Sequence, residues 1–214
     1  MALSVSALNG VKVYNLSAGK TLPEWHQTAG AGNGRDNSRS LRYNEEYRRR
    51  LELIQDFTFP TSSSQIALSS DARYVIACGV YRPQVKVFEL DQLGLKLERH
   101  SDAEIVSMQI LSDDYTKLAL LRADRTVELH AKYGLLHSVR IPKFGRTMAY
   151  NGMSCDLMMG GSGSELWRLN LELGQFTDAF QTEFNEINKV DVNRLHQLVG
   201  LAGDQNMVEF WDPR

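Results

Sequence analysis

His100, Asp124 and His130 are residue types suited to proton transfer, and all three fall within one repeating unit of the sequence. The competing reading is a hydrogen-bond network inside a folded sheet, and Asp204 with Trp211 repeats part of the same set further on. No Ser-His-Asp arrangement can be argued from the spacing. The 5 histidines form no metal-ligand pair at helix spacing. Cys78 and Cys155 are too few for a disulfide framework and lack metal-ligand spacing, which suits a reducing compartment. There is no Gly-Lys-Ser/Thr phosphate loop, and Gly160-Gly161-Ser162-Gly163-Ser164 has no helical pattern after it, so it reads as a hairpin turn. The sequence therefore predicts no enzyme, no cofactor, no metal site and no small-molecule substrate.

Two clusters of cations offer binding chemistry instead. From Arg35 to Arg50 there are 6 arginines and 3 acids. Pairs at i,i+4 (Arg42–Glu46, Glu45–Arg49 and Glu46–Arg50) would neutralise much of this charge along a helix. Arg48 lies outside those pairs, so some charge remains for phosphates, and Arg42, Arg48, Arg49 and Arg50 are the candidates for RNA or partner contact. Tyr43 and Tyr47 either stack on bases or face a core. The second cluster, Arg140-Ile141-Pro142-Lys143-Phe144-Gly145-Arg146, is forced into a loop by Pro142 and Gly145. Arg140, Lys143 and Arg146 there suit a backbone phosphate or an acidic peptide, or make a solvated connector.

The elements that must position these residues repeat. An apolar run, a polar turn, a second apolar run and an alternating strand recur along the chain. The residues opening the final strand are Val85, Val127, Leu166 and Val208, at intervals of 42, 39 and 42. Ser69-Ser70-Asp71 and Ser112-Asp113-Asp114 mark one turn at an offset of 43. Val11-Lys12-Val13-Tyr14 fits the same frame near the N-terminus. A period of about 40–45 residues with strands ending near Trp-Asp is that of a WD40 blade, a four-stranded sheet that buries its faces by stacking on neighbours. The fold expected is all-β: an incomplete WD40-like β-propeller of about four blades plus N-terminal strands. Residues 1–19 would supply those strands, 20–57 an insert, and 58–214 the blades.

In the insert, 27–40 is rich in Gly, Asn and Ser and reads as a flexible loop. Tyr43, Tyr47, Leu51 and Ile54 then predict one stripe of a basic helix over 41–57. The last copy stops at Arg214, straight after its third strand, so the chain is expected to be the first part of a longer protein. An uncovered blade edge would be a pairing liability.

Composition agrees with a globular domain. The 214 residues are 43% hydrophobic and carry a formal charge of −2, so attraction to an anionic partner must be local. No apolar run approaches the 18 residues of a spanning helix, and no membrane partner is expected.

VKVYNLSAGKTLPEW (11–25), RRRLELIQDF (48–57), LSDDYTKLALL (111–121), RIPKFGR (140–146), SCDL (154–157), RLNLELGQF (168–176) and VEFWDPR (208–214) occur together and in order. In these segments the chain resembles the N-terminal part of the nucleolar protein ten family, WD40-repeat components of the small-subunit processome. The resemblance implies a nucleolar, non-enzymatic assembly factor whose partners are other processome proteins and the precursor of small-subunit ribosomal RNA, and whose role is to support 18S processing. One departure is that His26 to Ser40 is mostly small and polar where the family is denser in Lys and Arg, which shifts the expected RNA contact to Arg42 and Arg48–Arg50. An alternative rests on Trp211-Asp212-Pro213-Arg214, which resembles the WDxR signature of propeller substrate receptors of cullin ubiquitin ligases, with Trp211, Asp212 and Arg214 binding the adaptor.

Overall fold

The structure of the protein, a computed structural model, describes residues 4–8, 10–15, 43–49, 52–54, 57–193 and 195–213. It comprises two compact units, Met1–Phe59 with Phe88–Lys96, and Pro60–Val87 with Leu97–Arg214.

In the first unit, β1 (Ser4–Leu8), β2 (Val11–Asn15) and β3 (Glu52–Ile54) form one antiparallel sheet in that order. Gly10 takes φ 85° in the tight turn between β1 and β2, a conformation that costs a residue without Cβ little. Val11, Val13 and Asn15 are buried while Lys12 is exposed, as period-2 alternation requires. Among the described residues, the helix expected over 41–57 is corrected to one turn, α1 (Glu45–Arg48). Asn44 caps it, its Oδ1 accepting from the N–H groups of Glu46 (3.0 Å) and Tyr47 (3.4 Å). Ile54, read as part of a helical stripe, lies in β3 opposite Val13. The reason is energetic: a helix this short is marginal on its own, whereas β2 offers a ready edge of backbone partners.

Most residues of the expected blades lie in the second unit, while Phe88–Lys96, within the first of them, are grouped with the other. The sheet β4 (Ser63–Leu68), β5 (Tyr74–Gly79), β6 (Gln84–Glu89) and β7 (Gly94–His100) is followed by β8 (Ile105–Ile110), β9 (Leu118–Arg122), β10 (Thr126–Ala131) and β11 (Gly134–Arg140). Next come β12 (Gly145–Asn151), β13 (Asp156–Gly161), β14 (Glu165–Asn170) and β15 (Gln175–Gln181), then β16 (Ile187–Val192), β17 (Val199–Gly203) and β18 (Val208–Trp211). Val85, Val127, Leu166 and Val208 fall in β6, β10, β14 and β18, the third strand of each sheet.

Both faces of the middle sheets are dry. Leu118 and Leu120 pack back onto Ile76, Cys78, Val85 and Val87, while Ala119 and Leu121 on the same strand pack forward onto Met148, Leu157 and Met159. Ala149 and Met158 then face Ile187, Val190, Val199 and Leu201. Each such Val, Leu, Ile or Met side chain contributes about 1.5–3 kcal/mol on burial, so stacking of sheets holds this unit together.

Two further periodic devices set the spacing. The pairing of the first two strands shifts register at Ser63/Gln65, Ile105/Ser107, Gly145/Thr147 and Ile187/Lys189, the same place in each of these four sheets. These bulges bend each first strand. Side chains beside them tie successive first strands together. Gln65 donates to the Val106 carbonyl (2.7 Å) and accepts from the Met108 N–H (2.9 Å), and Gln109 donates to the Met148 carbonyl (2.8 Å). Thr147 Oγ1 accepts from the Val190 N–H at 3.2 Å. The Gly160-Gly161-Ser162-Gly163-Ser164 stretch does make the turn between two strands, but its first glycines lie inside β13. A Cβ on Gly161 would stand 1.9 Å from the Phe144 carbonyl oxygen, so only glycine lets that backbone pass.

Candidate interaction surfaces and the buried ion network

The basic segment at α1 leaves part of its charge in solvent. Arg49 pairs with Glu45 at 3.6 Å, the i,i+4 contact expected, with both side chains largely exposed. Arg48 is exposed, and its guanidinium makes no ion pair among the described residues. Tyr43 is 83% exposed, so it is not a core-facing residue here. Arg42 and Arg50 lie outside the described residues.

The loop expected over 140–146 is corrected to the four residues 141–144, because Arg140 ends β11 and Gly145 and Arg146 open β12, where ladder pairing captures them. Ile141 is buried and anchors it, its N–H donating to the Arg125 carbonyl at 2.8 Å. Lys143 pairs with Glu165 at 3.2 Å, and Arg125 covers the Phe144 ring at 5.1 Å. Arg146 occupies the bulge of β12, which turns it toward the next sheet, where it meets Glu186 at 2.6 Å and Asn188 at 2.9 Å. Two of the three cations therefore bind the protein itself. Arg140 is exposed and has no ion pair among the described residues.

Trp211 is engaged within its own sheet stack. Its indole N–H donates to Glu209 at 2.9 Å, and its ring stacks on Phe180 with centroids 5.2 Å apart. Asp212 is exposed, and Arg214 lies outside the described residues.

The hydrogen-bond network expected around His100, Asp124 and His130 exists with a different membership. His100 is exposed and stands 3.8 Å from Glu98, away from the other two. Arg122 and Glu128, which the repeat pattern did not single out, hold the centre. Arg122 bridges Glu128 through Nη1 and Asp124 through Nη2, the latter at 2.5 Å. Glu128 Oε2 meets His130 Nε2 at 3.0 Å, and Arg99 reaches His130 Nδ1 (3.3 Å) and the Lys132 carbonyl (2.6 Å). Burial works against the Arg122 charge, but the hydrogen bond and attraction of Glu128, helped by Asp124, raise its pKa overall. Arg99 has no carboxylate partner of that kind, and burial lowers its pKa.

The next sheet has its own version. Asp156, almost completely buried, accepts from Arg168 (2.7 Å) and Asn170 (2.9 Å). Burial pushes its pKa up, and the hydrogen bonds from Arg168 and Asn170, with the attraction of the Arg168 charge, outweigh it, leaving the carboxyl below its ordinary value. Arg168 also lies 4.6 Å over the Phe180 ring. These clusters are largely buried, with Asp124 at the exposed end of the first, and they join neighbouring strands, an arrangement that suits cohesion better than turnover. Cys78 is equally closed to chemistry: burial pushes its thiol up to about 12, and it donates to the Met108 sulfur at 3.5 Å. Among the described residues no group of three or more His, Cys, Asp or Glu is placed to hold a metal ion.

Antiparallel sheets that succeed one another at a period near forty residues, bulge at the same point and bury both faces define the blades of a β-propeller. The chain belongs to the family described as Nucleolar protein 10-like, N-terminal domain, which it matches over residues 4–214. It is 46% identical over 213 residues to Nucleolar protein 10 of Xenopus tropicalis and 44% identical over 213 residues to that of Homo sapiens. It is 42% identical over 217 residues to the Ribosome biogenesis protein ENP2 of Saccharomyces cerevisiae. These matches take in 99–100% of this chain, which spans about 30% of the length of each relative.

Proposed function

We propose that the chain is a non-enzymatic scaffold in ribosome biogenesis, acting in the nucleolus on assembly of the small-subunit processome and so on processing of the 18S precursor. The observation that carries this reading is similarity along the whole chain to relatives named Nucleolar protein 10 and Ribosome biogenesis protein. The geometry supports a scaffold because its ionisable clusters are buried between sheets and its exposed groups lie on strand edges and loops. Rigid blades present such groups at fixed separations, and several weak contacts then add by effective concentration.

Within this reading the RNA contact belongs to the segment that contains Arg42, Arg48, Arg49 and Arg50, of which Arg48 is exposed and without an ion pair among the described residues. Lys143 and Arg146 are held by Glu165 and Glu186 and contribute little to it. No specific observation favours the adaptor-binding alternative, since the Trp211 N–H is already taken by Glu209. The test is sedimentation of the tagged protein from cells. Co-migration with particles that carry the 18S precursor, and accumulation of unprocessed precursor on depletion, is the expected result. A protein that stays in the free pool while processing proceeds on depletion would overturn the proposal.

A further inference from the structure

The three outer strands of the four-stranded sheets end in unlike edges. β7 carries Lys96, paired with Glu89 at 3.0 Å, and Glu98; β15 carries Asp178, and its Phe180 is covered by Trp211 and Arg168. Charges of this kind discourage another strand from adding. β11, the terminal strand in the order β11-β10-β9-β8, reads Gly-Leu-Leu-His-Ser-Val-Arg and has neither a carboxylate nor a lysine. Leu135 is 56% exposed and Leu136 62%, and Tyr133 in the preceding turn is 94% exposed. The register shift between Leu129 and His130 places Leu136 outside the regular pairing with β10. Alternate backbone N–H and C=O groups on the far side of such a terminal strand face outward.

Glu128 on β10 stands opposite Ser138 and is engaged by Arg122 and His130, and the sequence that follows it carries charge of one sign. Between Glu128 and Asp156 the sequence contains Lys132, Arg140, Lys143 and Arg146 and no acidic residue. Lys143 and Arg146 are paired elsewhere, but Arg140 at one end of β11 and Lys132 beside the other are exposed and form no ion pair among the described residues.

We propose that the outer edge of β11 is a docking strand for an extended segment of a partner protein, one that combines apolar and acidic side chains. The added strand takes its affinity from main-chain hydrogen bonds, with Tyr133, Leu135 and Leu136 meeting its apolar side chains and Lys132 and Arg140 its carboxylates. This deepens the scaffolding reading and rests on it for the partner's origin, while the surface is defined by the chain alone.

The experiment pans a displayed library of random decapeptides against the immobilised chain, with the Leu136→Glu variant as counter-target. The expected winners carry Asp or Glu between Val, Ile or Leu, and bind Leu136→Glu and Arg140→Glu at least about tenfold more weakly. They also fail once alternate peptide amides are N-methylated, whereas Leu173→Glu, at another exposed leucine, changes nothing. Leu136 and Leu173 are both exposed, so each variant keeps the thermal midpoint of the parent. Absence of any peptide that separates the parent from Leu136→Glu would overturn the proposal, as would indifference to N-methylation. A uridine oligonucleotide that loses affinity on Arg140→Glu and not on Leu136→Glu would give the edge to RNA and also overturn it. Only chain and peptide are present, so a negative result here is separate from a failure to co-migrate with precursor particles.

Discussion

Arg122 and Arg168 sit between sheets, and Arg48 and Arg146 on the outside, and the contrast shows how little the residue type alone decides. Arg122 is almost fully enclosed by Glu128 and Asp124, and Arg168 lies against Asp156 and the Phe180 ring. Each holds strands of its own sheet in place through charge-assisted hydrogen bonds in a dry setting, where such bonds are strong and loss of a partner is costly. Arg146 makes an equally direct pair with Glu186, but both side chains are more than two-fifths exposed, so water and salt screen most of its value. Arg48 has no such partner among the described residues, and its charge is available to another molecule. Burial with a carboxylate makes an arginine structural; exposure without one leaves its charge free in solvent.

The largest effect that would break this contrast is at Glu128. Glu128→Ala leaves Arg122 and His130 buried without their common partner and is expected to cost about 3–5 kcal/mol in urea unfolding. A loss below about 1 kcal/mol would place the network among the surface pairs. Asp156 comes next. Its folded pKa lies below the ordinary 3.8, so its contribution is complete above that value and is lost as pH falls through the folded pKa. Asp156→Asn is expected to cost about 2 kcal/mol at neutral pH and to flatten the fall in stability below pH 3.8. A variant that unfolds in acid as steeply as the parent would contradict the assignment. Arg146→Ala should cost only about 0.5–1 kcal/mol, and less in high salt. At Arg48→Ala stability should stay within about 0.5 kcal/mol, while the salt dependence of RNA binding falls by about 0.7 in log–log slope. Titrations of the two variants at several salt concentrations would sharpen the difference between a paired and an unpaired surface arginine.

How much of this was legible in the sequence differs by feature. The four strands opened by Val85, Val127, Leu166 and Val208 were readable because each must bury apolar residues on a repeating frame. The Arg122–Glu128 pair was not, for a physical reason. Alternation in Thr126-Val127-Glu128-Leu129-His130 suggests one wet face, yet stacked blades cover both, so Glu128 and His130 are buried. The signal that could have found them is the position of Arg122 and Glu128 on adjacent strands of one hairpin. Over 41–57 the helical stripe misled because Tyr43, Tyr47, Leu51 and Ile54 fit a helix locally, while the open edge of β2 captured Glu52–Ile54. Among the proposed contacts, Lys143 and Arg146 were visible as cations, but their partners Glu165 and Glu186 lie 22 and 40 positions away in sequence. Only the fold brings them together.

The most direct test of the central claim is ultraviolet crosslinking of the tagged protein in cells, with sequencing of the attached RNA, comparing the parent with Arg48→Glu. The account predicts reads concentrated in the small-subunit precursor and a several-fold drop in the variant at unchanged protein level. Background RNA in both, or equal crosslinking of the variant, would contradict a role for this segment in holding pre-ribosomal RNA.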